Sequence, residues 1–215
     1  KQYVSNPLMR LFYHDYSTHM LRRILPKIEA FVAISPYVID VLVEMNLLEK
    51  MNNIFQIGNP IDEAFFISNQ HTSEKIVYYP GIISERKNQL AAINAFKLIN
   101  KSIPKSKLIL TGGCDEKYFE KLTSSISEDL ADNIEYKGMV SRDKIIDTYR
   151  RASIVYLLSK QETQPMSILE AMATGTPVIA SDIESNQYLV KNGLTGYLVD
   201  PNDTAKVAEL TLHLL

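Results

Sequence analysis

From Ala30 onward the chain alternates short apolar runs with longer helical patterns, and this alternation restricts its fold more than any other feature. The strand candidates are AFVAI (30–34), NIFQI (53–57), KIVYY (75–79), KLILT (107–111), NIEYK (133–137), SIVYLL (153–158), PVIAS (177–181) and GYLVD (196–200). Most are continuously apolar, as strands covered on both faces are. Between them lie stretches such as RKNQLAAINAFKLIN, DEKYFEKLTSSIS and RDKIIDTYRRA. Repeated βα units imply a parallel sheet with right-handed crossovers. The predicted class is α/β, a doubly wound parallel sheet.

GNPIDEAFFISNQHTSE (58–74) begins with a turn signal and continues as a polar run, so it reads as a joint. The division expected is a partial α/β domain over 1–58, a linker over 59–74 and a domain over 75–215 with six strands. The first part has two strands and a leading helix, NPLMRLFYHDYSTHMLRRIL, too little for a core of its own. The chain starts KQYVSN, without methionine, and reads as a piece of something longer.

Composition narrows the function. With 215 residues, 46% hydrophobic and 22% charged, the chain can build a sizeable core. A net charge of −2 gives no basic field for nucleic acid. The single cysteine, Cys114, excludes an internal disulfide and any Cys-cluster zinc site, and fits a reducing, cytoplasmic setting. No apolar run approaches the roughly 20 residues of a membrane span.

The segment QETQPMSILEAMATGTPVIAS (161–181) carries the chemistry. In an open parallel sheet, ligands sit beyond the carboxyl ends of the strands, and Glu162 follows the strand SIVYLL. Pro165 suits a first helical position and Gly175 a left-handed stop, which predicts a short helix from Pro165 to Thr174. The N-terminus of such a helix favours phosphate. Glu170 lies in its second turn among apolar neighbours, and a buried carboxylate needs a donor. Its two oxygens match a vicinal diol. A nucleotide-sugar would satisfy both features, with diphosphate at the helix end, the ribose diol on Glu170 and sugar hydroxyls on Glu162. The alternative is structural: Glu170 pairs with a Lys or Arg, and Glu162 is a solvated loop charge.

The segment ETQPMSILEAMATGTPVIAS resembles the E-x7-E motif of family-4 glycosyltransferases, the large retaining group with the GT-B fold. The flanks agree: AFVAISPYVIDVL with NIFQIGNPID, YYPGIISERKNQLAAINAF, IEYKGMVSRDKIIDTYRRASIVYLLS and NGLTGYLVDPND are similar to segments in that family's order. The resemblance covers roughly Ala30 to the end. It implies a Rossmann-like, donor-binding C-terminal domain and a remnant of an acceptor domain. It implies further that Lys87 neutralises the donor diphosphate and that Glu162 and the backbone of Thr163, Gln164 and Met166 contact sugar and phosphate. Glu170 would hold the ribose, and the loop of Gly138 to Val140 the base. Gly81 matches the glycine of the family's Gly-Arg pair, but Ile82 stands in place of the arginine, with Arg86 close by in sequence. Tyr188 stands where the family often carries a glutamate.

The implied activity is sugar transfer from a nucleotide-sugar to a glycan or lipid-linked acceptor, with retention, without a metal or other cofactor, by a protein that is cytoplasmic or peripheral to the membrane. A second reading is a degenerate, non-catalytic GT-B module serving a partner glycosyltransferase. A dehydrogenase is disfavoured, because no strand ends in GxGxxG. TGGCDE (111–116) is a glycine turn at a strand end, read first as a permissive tight turn and second as a lining of the crevice. His14 and His19 sit in an amphipathic pattern and read as structural or solvated. The strands of 1–58 leave apolar edges, so the isolated chain is expected to dimerise through them.

Overall fold

A computed structural model describes residues 18–66 and 73–215. The chain divides into two compact units, Lys1–Asn59 and Pro60–Leu215. In the first, strands β1 (Phe31–Ala33) and β2 (Ile54–Gln56) pair in parallel, Phe31 opposite Ile54. The helix Pro36–Glu44 connects them, with proline in its first turn, where a missing N–H costs nothing. Leu25, Leu42, Leu47 and Met51 form a small core. Residues 18–24 are helical and His19 is exposed, whereas His14 and most of the predicted leading helix lie outside the described residues.

The second unit is a six-stranded, wholly parallel sheet of β3 (Ile76–Pro80), β4 (Lys107–Thr111), β5 (Ile134–Tyr136), β6 (Ile154–Leu157), β7 (Val178–Ser181) and β8 (Tyr197–Val199). Their spatial order is β5-β4-β3-β6-β7-β8. The winding reverses between β3 and β6, so this is a doubly wound sheet with its switch point there. The predicted strands all form, shortened at most ends by a residue or two. Burial explains their composition: β3, β6 and β7 are buried at every position, whereas the edge strands β5 and β8 are only partly so.

The helices of this unit run Gln89–Ser102, Glu116–Thr123, Arg142–Arg151, Met166–Ala173, Glu184–Gln187 and Thr204–Leu214. Asp115 caps the second of them, accepting from the Tyr118 amide at 2.9 Å. Residues before β3 also join the core, since Phe65 is buried among it and Ile61 and Ala64 pack against it. No helix of the described residues is long and apolar enough to cross a membrane.

Candidate functional site

Two loops meet at the switch point, one after β3 and one after β6, and short-range chemistry stitches them together. The Lys160 amide donates to the Arg86 carbonyl at 2.8 Å. Asn88 Nδ2 donates to the Leu158 carbonyl at 3.3 Å, and Lys160 pairs with Glu85 at 3.1 Å. Gln89, fully buried, braces the first loop from within: its Nε2 donates to the Ile82 carbonyl at 2.9 Å and its Oε1 accepts from the Ser84 amide at 3.2 Å.

A cavity of about 450 Å³ opens between these loops, a volume suited to a small organic ligand. Lys87 and Glu162 face each other on its wall, with Lys87 Nζ 2.7 Å from Glu162 Oε1. Arg86 joins the same oxygen at 3.1 Å and also donates to the Gln161 carbonyl at 3.0 Å. The Glu162 side chain retains only 9% of its exposure, so the rim carboxylate is a desolvated group held by two cations. Spacing along the sequence gave no sign of this pairing.

The helix Met166–Ala173 points its N-terminus into the same cavity, with Pro165 to Ser167 on the wall. Pro165, predicted as the first helical residue, is instead the cap, because its extended ψ of 107° lies outside the helix, which starts at Met166. First-turn amides have no intrahelical acceptor, so those of Met166 and Ser167 are presented to the cavity end. Gly175, at φ 73°, ends the helix as expected. The amides of Gly175 and Thr176 bond back to Met172 and Ala171, at 3.1 and 2.8 Å, which completes a Schellman stop. The helix is less enclosed than its apolar sequence suggested: only Ile168 and Ala171 are buried, because one side forms the cavity wall.

Glu170 lines that wall, half-buried. Among the described residues no Lys or Arg forms an ion pair with it. Its partner is Tyr149, whose hydroxyl donates to Oε2 at 2.7 Å. Burial raises the Glu170 carboxyl above its ordinary value, while the tyrosine hydrogen bond and the Lys87 charge pull it back. The structural ion pair considered for Glu170 is therefore replaced by a neutral phenol.

Of the other anticipated residues, Gly81, Val140, Gln164 and Met166 line the cavity. Thr163 is exposed and Gly138 does not reach the wall, where Met139 and Val140 stand instead. Ile82 is 48% exposed and supplies no charge. Sequence reasoning missed Tyr149, Gln89 and Ser167, which lines this wall and whose buried hydroxyl has no hydrogen-bond partner among the described residues. It also underrated TGGCDE. Thr111, Gly112 and Gly113 line the cavity, and Gly112 permits close approach as well. At φ +127°, a Cβ on it would lie 2.5 Å from the Gly81 carbonyl oxygen. Among the described residues no group of three His, Cys, Asp or Glu gathers as a metal site would require.

The family described as "Glycosyl transferases group 1" matches residues 60–215. The chain is similar to the poly(glycerol-phosphate) alpha-glucosyltransferase of Bacillus subtilis, 29% identical over 74% of this chain and 23% of that protein. It is also similar to the N-acetyl-alpha-D-glucosaminyl L-malate synthase of Bacillus anthracis, 25% identical over 79% of this chain and 46% of that one. Among solved structures, HepE of Anabaena in complex with UDP-glucose aligns with a TM-score of 0.82 at 17% identity, over 97% of this chain and 60% of that chain. Sucrose-phosphate synthase of Thermosynechococcus elongatus aligns with a TM-score of 0.78 at 23% identity, over 98% of this chain and 54% of that chain. These two structures share the fold. The chain spans less than half the length of the two curated relatives.

Proposed function

The chain belongs to the group 1 glycosyl transferases, and from that premise we propose that it binds a nucleotide-sugar and takes part in moving the sugar to an acceptor with retention at the anomeric carbon. One observation supports this most: Lys87 and a helix N-terminus line a cavity whose wall also carries Glu170, and Arg86 pairs with the same Glu162 oxygen as Lys87. A diphosphate fits the cationic end, and a ribose diol fits the carboxylate.

Glu162 pairs with both cations. An entering diphosphate would draw Lys87 and Arg86 toward its oxygens. Glu162 would then lose its partners in a poorly solvated place, which is costly unless other donors replace them. The hydroxyls of the donor sugar are such donors. The exchange lets one group neutralise the site when empty and orient the sugar when full. As the glycosidic bond breaks, negative charge grows on the departing diphosphate. In this reading Lys87, Arg86, the first-turn amides and the Ser167 hydroxyl would stabilise it. Arg86 would thus supply the charge that Ile82 lacks.

The two relatives are a poly(glycerol-phosphate) alpha-glucosyltransferase and an N-acetyl-alpha-D-glucosaminyl L-malate synthase, so chemistry differs within the resemblance. We assign this chain a glycan or lipid-linked acceptor only at the level of class. The exposed Ile82 also favours a second reading, in which the site has lost its donor and the chain serves a partner enzyme.

Thermal unfolding with UDP, GDP, ADP and their glucose conjugates tests the proposal, since a ligand that binds only the folded state raises the melting temperature. A rise with one nucleotide family supports donor binding. No rise with any of them overturns it and leaves the degenerate module.

A further inference from the structure

Tyr149 is a fully buried residue of the helix Arg142–Arg151 and is not on the cavity wall, yet its hydroxyl reaches the carboxylate that is. Its ring is fixed from two sides. Phe65 and Tyr78 meet it edge-on, with ring centroids 5.7 and 5.0 Å away and planes at 81° and 83°. Its carbonyl accepts from the Thr176 hydroxyl at 2.9 Å. The phenol has one strong acceptor, Glu170 Oε2 at 2.7 Å, and a marginal one in the Ser167 carbonyl at 3.4 Å. Burial holds the phenol neutral, so it acts as a donor.

The terminal torsion of a glutamate is broad and nearly free. Among the described residues no cation pairs with the Glu170 carboxylate, and Tyr149 is its side-chain hydrogen-bond partner. An ionised carboxylate offers about four acceptor positions, and Tyr149 takes one of them. Two hydroxyl groups can still be received, in a carboxylate plane set by the tyrosine.

We propose that Tyr149 is a positioning residue: by fixing Oε2 of Glu170 it turns the carboxylate toward a vicinal diol, and preference for ribonucleotides over 2′-deoxyribonucleotides depends on its hydroxyl. The inference rests on Glu170 being the diol-binding group of the proposed donor site. Tyr149 is not among the residues lining the cavity and reaches it through Glu170, so its removal should act through that carboxylate.

The test is calorimetry of UDP, GDP and ADP and their 2′-deoxy forms against wild type, Y149F and Y149M, the last being a second hydroxyl-free variant that fills the space flexibly. Wild type is expected to favour the ribo form of its preferred nucleotide by about tenfold or more, as loss of one charge-assisted hydrogen bond implies. In either variant that ratio should fall several-fold, while affinity for the deoxy form changes less than about twofold. In an E170Q background the tyrosine substitution should add nothing further, because the two side chains act as one unit. A ribo preference that survives in both variants, whatever happens to their melting temperatures, reduces Tyr149 to a packing residue and overturns the inference alone. Failure of wild type to bind any of the three ribonucleotides overturns the donor-site reading, and this inference with it.

Discussion

Lys87 Nζ lies 2.7 Å from Glu162 Oε1, across 75 residues of sequence and across the switch point between β3 and β6. The pair joins the loops that follow the two central strands, where a doubly wound sheet leaves its crevice. Replacing Lys87 with alanine removes the nearer of two cations from that crevice. Binding of a nucleoside diphosphate should weaken by about 1.5–3 kcal/mol, roughly 10- to 150-fold, whereas binding of the nucleoside should barely change. Calorimetry with both ligands checks this, and equal losses would place Lys87 away from the phosphates.

Arg86 shares Glu162 Oε1 with Lys87 but is more exposed, 29% against 12% at the side chain. Solvent screens it more, so Arg86→Ala should weaken diphosphate binding less than Lys87→Ala does. In the double variant the losses should not add, since both cations answer to one carboxylate and one ligand group. A double-mutant cycle on nucleoside diphosphate affinity measures that coupling. Strict additivity would mean that the two cations act independently, and no loss in Arg86→Ala would mean that Arg86 has no part in the clamp.

Glu170→Gln keeps the shape of the side chain and removes its charge. Nucleotide affinity should fall by about 1–3 kcal/mol, because hydrogen bonds to an ionised acceptor become neutral ones. Stability should move the other way. Burial raises the Glu170 carboxyl in the folded state, so the folded protein binds that proton more tightly than the unfolded chain. The stabilising contribution is therefore full below the ordinary carboxyl range and is lost as pH rises through the raised value. The glutamine variant should melt no lower than wild type at pH 7, and any advantage should shrink toward pH 4. Melting curves over that range test the sign, and a variant clearly less stable at pH 7 would contradict it.

Gly112 and Gly113 are adjacent and chemically identical, but their surroundings differ. A Cβ on Gly112 would lie 2.5 Å from a backbone oxygen at a left-handed φ of +127°, whereas at Gly113 the nearest atom is the flexible Met139 Sδ at 4.0 Å. Gly112→Ala should destabilise the protein by about 3 kcal/mol or more, combining backbone strain with a clash that neither loop can relieve cheaply. Gly113→Ala should cost under about 1 kcal/mol. Urea denaturation of the two variants side by side decides it.

Much of this molecule is written locally. The eight strands were legible because β3, β6 and β7, covered on both faces, must be apolar throughout, and a run such as IVYLL cannot satisfy that and hide. The stop at Gly175 was legible because few residues tolerate its left-handed backbone. Lys87, Glu162 and Glu170 could be singled out by motif, since the strand that precedes each loop sets where it emerges. Their partners could not. Tyr149 reads in sequence as one more aromatic of an amphipathic helix, and only the packing of that helix against the sheet brings its hydroxyl to Glu170. Gly112 reads as an ordinary turn glycine until the Gly81 carbonyl is found against it. Strand content and helix ends depend on neighbours within a few residues, so the sequence alone determined them. Which donor meets a buried carboxylate depends on groups 21 and 75 residues away, and folding alone decided that.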